Sequence, residues 1–163
     1  MSYFLKSNRV KLKKNYMHFF SALLAGILLI NTSAGWDTDL EKAKVKATRE
    51  HKLILLNFSG SDWCGPCIRL HDEIFESQTF KQFADSSVVL VNADFPRKKK
   101  NQLSKEQQHK NELLADKYDT KGIFPYTLLL DPEGKIIKGW EGCPQLSPEK
   151  FVSQVKTVCD SRK

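Results

Sequence analysis

Two cysteines, Cys64 and Cys67, bracket Gly65 and Pro66 in the run SDWCGPCIRL, residues 61–70. With two residues between them, the second sulfur can reach the first, so the pair can close and reopen as a dithiol–disulfide couple. Half of a metal site and a local structural bridge are the competing readings. A metal site would need a second ligand pair of similar spacing, whereas Cys143 and Cys159 stand far apart in the chain. His71 falls on the same expected helix as the motif, and three ligands from one helix make poor tetrahedral geometry. Haem attachment would need His directly after the second Cys, and Ile68 is there. The residues favour redox chemistry and call for no cofactor or metal; the other two readings stay behind it.

The elements around the motif decide whether it can work. KLILLNFSG, residues 52–60, is a short, nearly continuous apolar run of the kind that forms a strand buried on both faces. Leu70, Ile74 and Phe75 follow the motif at helical spacing. Cys64 is therefore expected at the mouth of a helix, where open N–H groups and the helix dipole favour an anion and lower a thiol's pKa. Cys64 would attack, and Cys67, one turn in, would resolve the mixed disulfide. Pro66 suits a first helical turn, and Gly65 leaves room for an approaching chain.

The rest of the chain reads as alternating elements. Trp36, Leu40, Ala43 and Ala47 suggest a helix over about 38–51. Ser77 opens a further turn that places Phe80 and Phe83 inward, and SVVLVNAD, 87–94, is a second buried strand. Ser104 with Gln107 has the form of a capping box, opening a helix through Leu113, Leu114 and Tyr118 that Gly122 stops. IFPYTLLLD, 123–131, then DPEG and KIIKGW, 135–140, read as a hairpin. Ser147-Pro148 starts a last helix with Phe151, Val152, Val155 and Val158 apolar. This order predicts an α/β fold: a mixed central sheet with helices on both faces, ending in a hairpin and a helix.

Composition bounds the setting. Of 163 residues, the first 35 hold five of the 26 basic residues and none of the 19 acidic ones, which leaves about +2 of formal charge on residues 36–163. The basicity thus gives little support to a nucleic-acid partner. FFSALLAGILLI, 19–30, is shorter than the roughly 20 apolar residues of a membrane span and fits the apolar core of a secretory signal. Small residues follow, suited to cleavage after Ala34 or Gly35. The expected organisation is a secretory segment, 1–35, and one domain, 36–163, outside the cytoplasm. An uncleaved segment would be the domain's only membrane contact.

Trp63-Cys64-Gly65-Pro66-Cys67 after LILLNF, with Phe124-Pro125-Tyr126 before LLLD, resembles the thioredoxin superfamily over about residues 38–160. With the export signal, the chain looks like a periplasmic thiol:disulfide oxidoreductase of the Dsb type. SGSDWC and DFPRKKK are closest to an exported branch that includes the chlamydial DsbH type. The resemblance implies a thioredoxin fold and catalytic Cys64 and Cys67. It implies a substrate groove formed by Trp63, Gly65, Pro66, Phe124 and Pro125, with Pro125 cis and the Phe124 backbone offered to an extended client; Trp63 could instead be core packing. The Gly-Pro pair resembles that of reducing thioredoxins, which implies a reductase. Its partners would be protein disulfides and a membrane thiol donor of the DsbD or CcdA kind. A disulfide oxidase or isomerase, a cytochrome c maturation reductase and a non-catalytic client-binding module are the alternatives.

Two departures from the family stand out. Thioredoxins carry a buried Asp under the motif with a Lys nearby; the matching positions read Asn57 and Leu90, so proton transfer to Cys67 would use water or another carboxylate, with Asp62 and Glu73 weighed only for their proximity in sequence. Phe124 is bulky for the residue before the proline. Cys143 reads as an inert thiol near the active-site rim. A Cys143–Cys159 bridge is not expected, because the intervening helix is about 18 Å long and bridged Cα atoms lie within about 7 Å. Arg97–Lys100 reads as a solvated loop, with an acidic docking partner as the alternative.

Overall fold

The computed structural model describes residues 35–162; the expected secretory segment lies outside them, apart from Gly35. Five helices and four strands follow the expected alternation among the described residues. Asp39 caps helix α1, Leu40–Glu50, by accepting the Glu41 and Lys42 N–H groups, and turns Leu40, Ala43 and Ala47 inward. Strand β1 is Leu53–Ser59. Helix α2, Gly65–Arg69, runs on into a widened π-type turn, Leu70–Phe75, that buries Leu70, Ile74 and Phe75. Helix α3, Gln78–Ser87, is capped by Ser77 and leads into strand β2, Val88–Asp94. Helix α4, Lys105–Tyr118, precedes strands β3, Tyr126–Leu130, and β4, Ile136–Glu141; helix α5, Pro148–Asp160, ends the fold.

The sheet order is β2-β1-β3-β4. β1 is parallel to β2 and antiparallel to β3, and β3 is antiparallel to β4. Successive side chains of β1 point to opposite faces. Leu55 joins a core with Leu70, Phe75, Phe80, Phe151 and Val155, under α2, α3 and α5. Ile54, Leu56 and Phe58 join another with Ala43, Ala47 and Tyr118, under α1 and α4. Burial on both faces explains why β1 has no polar alternation.

Four details differ from expectation. Leu113 is 54% exposed; Asn111 takes the inner position instead, because its amide donates to Asp94 O at 2.8 Å and accepts from Gln107 at 2.8 Å. The capping box is half formed: Ser104 accepts the Gln107 N–H, while the Gln107 side chain turns to Thr38 O and Asn111. Helix α4 ends at Tyr118, four residues before Gly122, because Asp119 leaves helical geometry. An edge segment also joins the sheet: Asp37 bridges Val91, with hydrogen bonds of 2.9 Å to Leu90 O and from Asn92 N.

Candidate active site

The motif occupies the turn between β1 and α2. Cys64 is the N-cap of α2, and its Sγ accepts the Cys67 N–H at 3.2 Å. The two sulfurs are joined in a disulfide with Cα atoms 5.2 Å apart. Both residues are buried in this form, Cys64 5% and Cys67 3% exposed. Cys64, read as the attacking sulfur, is largely covered in this form. Gly65 and Pro66 beside it are exposed, and a Cβ at Gly65 would meet nothing within 4 Å. Approach to the sulfur is open over Gly65.

The outer rim is aromatic. Trp63 donates Nε1–H to Phe95 O at 2.7 Å. Its ring lies 5.5 Å from Phe124, which meets Phe95 edge-on at 5.5 Å. The Arg97 guanidinium covers the Trp63 ring at 3.7 Å. Trp63 is half-buried, so it both packs inward and lines the rim. The Phe124–Pro125 peptide is cis, as the resemblance implies. Pro125 O accepts the Gly142 N–H at 2.8 Å, which draws the loop of Cys143 to the rim; none of the loop hydrogen bonds among the described residues uses the Phe124 N–H or C=O.

Asp62 is engaged by the basic loop. Its carboxylate accepts the Arg97 and Lys98 N–H groups and the Asn101 amide, each at 2.9 Å. These bonds, the Arg97 one foremost, lower its pKa. It pins the basic loop, so its acceptor capacity is spent there.

Amides line part of the inner side of the motif. A cavity of about 300 Å³ reaches Cys67, and Asn57, Asn92, His71 and Asp72 are among its walls. Asn57 donates to Asn92 Oδ1 at 3.0 Å and accepts from Thr127 Oγ1 at 3.0 Å. Both ends of the buried amide are satisfied, so it costs little where an isolated charge would cost much. Of the two weighed acceptors, Glu73 acts on Cys143, and the cavity instead brings His71 and Asp72 to Cys67's side. Their Nδ1···Oδ1 distance is 3.0 Å. His71 was weighed only as a metal ligand, although Cys67 and His71 stand four apart, the spacing that shares a helix face.

Cys143 is half-buried. Burial pushes its thiol up, the Arg69 charge opposes this and Glu73 adds to it. That fits an inert thiol better than a reactive one. No disulfide links Cys143 to Cys159.

A buried strand, a Cys-Gly-Pro-Cys turn opening a helix, and a cis proline beside it define one class of protein. The chain belongs to the thioredoxin-like family, whose domain model matches residues 40–158, and it is a thiol–disulfide oxidoreductase. It is 41% identical over 127 residues to the disulfide bond reductase DsbH of Chlamydia pneumoniae, covering 78% of this chain and 74% of that protein. It is 29% identical over 102 residues to the thioredoxin-related protein DsbJ of the same organism, covering 63% of this chain and 28% of the much longer relative. The solved structure of a DsbH oxidoreductase superposes with a TM-score of 0.70 at 35% identity, covering 78% of this chain and 85% of that one.

Proposed function

We propose that this chain is an exported reductase of protein disulfides. Residues 1–35 act as its secretory signal, cleaved after Ala34 or Gly35, and residues 36–163 work in the periplasm. The observation behind the reading is the placement of Cys64 Sγ as the cap of α2, hydrogen-bonded to the Cys67 N–H. That environment favours a thiolate at Cys64 once the bridge is reduced. Likeness to a protein named disulfide bond reductase supports the direction.

The exchange balances as two displacements. The Cys64 thiolate attacks one sulfur of a client disulfide, breaking the client bond and releasing one client thiolate, which takes a proton. The Cys67 thiol, losing its proton, attacks Cys64 Sγ and releases the second client sulfur. Cys64–Cys67 is left oxidised and the client gains two electrons and two protons. A membrane thiol donor of the DsbD or CcdA kind restores the dithiol. Trp63, Gly65, Pro66, Phe124 and Pro125 form the client groove, with the Phe124 backbone available for strand-like pairing.

Equilibration with glutathione tests the direction. A potential below the glutathione poise is expected, together with catalysed insulin reduction by dithiothreitol. A potential well above that poise would make the chain an oxidase, and absence of turnover would make it a client-binding module.

A further inference from the structure

The site leaves one strongly charged feature unused. Arg97, Lys98, Lys99 and Lys100 are consecutive and exposed, and none of the salt bridges among the described residues engages them. Four like charges on a short loop repel one another, which disfavours holding them together. The fold nevertheless fixes the loop. Asp62, directly before Trp63, ties down the Arg97 and Lys98 backbone and the Asn101 side chain. Residues Lys99–Asn101 form a single 3-10 turn, and Arg97 is laid across the Trp63 ring. The cationic loop is therefore anchored through the two residues that precede the first cysteine.

Beside this loop lies a groove of about 430 Å³, with Trp63, Phe95, Pro96 and Phe124 as its apolar part and Arg97 among its walls. Two carboxylates also border it. Asp94 is occupied by the Ser61 N–H and hydroxyl; Glu112 lies on α4, 3.9 Å from His109. The four cations outnumber them, and three of the four extend past the groove onto the loop.

The geometry points to a docking site for clients whose cysteine is flanked by acidic residues: the client cysteine lies over Gly65, and Asp or Glu residues a few positions away meet the 97–100 loop. This rests on the reductase reading and adds a substrate class to it. A peptide is favoured over an anionic lipid surface because the loop is coupled to Trp63 and, through it, to Phe124, where a client strand would run. Exposed ion pairs add little affinity each but raise encounter rates and set preference, with a strong dependence on salt.

The test mixes the reduced protein with two disulfide-bridged peptides of one sequence, differing only in Glu or Gln at the flanking positions. At 50 mM salt the Glu peptide is expected to react about tenfold faster, and at 0.5 M salt the two should agree within about twofold. The triple variant Lys98→Gln, Lys99→Gln, Lys100→Gln should lose most of the low-salt preference. Equal rates at low salt, or a preference that the triple variant keeps, would overturn the proposal. So would the absence of peptide preference alongside lysine-dependent binding to phosphatidylglycerol vesicles, which would assign the loop to a lipid surface. Hydroxyethyl disulfide, small and neutral, separates the two levels. If the wild-type protein fails to reduce it, the reductase reading falls; if it is reduced without a flank preference, the docking proposal alone falls.

Discussion

The two sulfurs of one bridge face unlike surroundings. Beside Cys64 the wall is aromatic and cationic, with Trp63 held between Phe124 and Arg97. Beneath Cys67 the wall is amide-rich, with Asn57 paired to Asn92 and Thr127. The outer side is fixed by hydrogen bonds spanning more than thirty residues of chain, Asp62 to Arg97 and Trp63 to Phe95. The difference teaches that the two sulfurs are walled differently: on the proposed reading the outer wall receives the client, while satisfied amides line the inner side and His71 and Asp72 border the same cavity.

The cysteines themselves give the sharpest break of that comparison. Cys64→Ser should lower insulin reduction by at least about a thousandfold, since it removes the nucleophile. Cys67→Ser should lose turnover comparably yet accumulate client adducts on Cys64, visible on non-reducing gels. Equal trapping by both variants would mean that the two sulfurs are interchangeable and the asymmetry is without consequence.

The outer wall is next. A Cβ at Gly60 would stand 2.4 Å from Trp63 Cε2, and Gly60 is buried. Gly60→Ala must therefore displace the indole and strain its bond to Phe95 O. Overpacking of this kind costs about 1–3 kcal/mol. Chemical unfolding should register it together with altered tryptophan fluorescence, and unchanged stability would mean that the Trp63 seat is soft.

The inner wall responds differently. Asn57→Asp places an ionisable group among amides. Burial raises such a pKa above the unfolded value of about 4. The folded state then holds its proton more tightly, so the variant is near wild-type stability below that value and loses ground as pH rises through the folded pKa. A deficit of about 1–3 kcal/mol at pH 8 is expected, with a new inflection in the pH profile of the resolving step. Urea unfolding at pH 4 and pH 8 giving the same deficit would show that the cavity hydrates the charge.

Much of this was legible in the residues. The apolar runs of β1 and β2 gave their burial, Ser77, Ser104 and Ser147 gave three helix starts, and Cys64 fell at a helix mouth by its place between strand and amphipathic run. The cis peptide at Pro125 came from resemblance and not from spacing. What stayed hidden depends on long-range partners. Asp62 was weighed as a proton acceptor only because it adjoins the motif in sequence, yet its hydrogen-bond partners are 35 to 39 residues away. Leu113 looked buried because apolarity predicts burial, whereas Asn111 wins the inner position by satisfying every end of its amide. Local pattern cannot rank a satisfied polar group against an apolar neighbour.

The smallest expected effect tests whether the outer side is as well satisfied as the inner one. Asp119 is buried in the loop that leads to Phe124, and its Oδ1 accepts the Ile123 N–H at 2.8 Å. Its Oδ2 is buried without a hydrogen-bond partner among the described residues. Burial raises its pKa, with the Ile123 and Gly122 N–H groups opposing and the Glu141 charge adding to the rise. A raised folded value means that the folded state binds the proton more tightly. The stabilising contribution is present below the ordinary carboxylate value and is lost as pH rises through the folded one. Asp119→Asn keeps an acceptor for Ile123 and removes the charge, so it should flatten this part of the stability–pH curve. Relative to wild type it should gain about 1 kcal/mol or less at pH 7 and nothing at pH 3. Thermal unfolding at the two pH values reads the difference directly, and a larger gain at pH 3 would mean that the carboxylate is stabilised as an anion, making the outer loop as complete in its hydrogen bonding as the amides beneath Cys67.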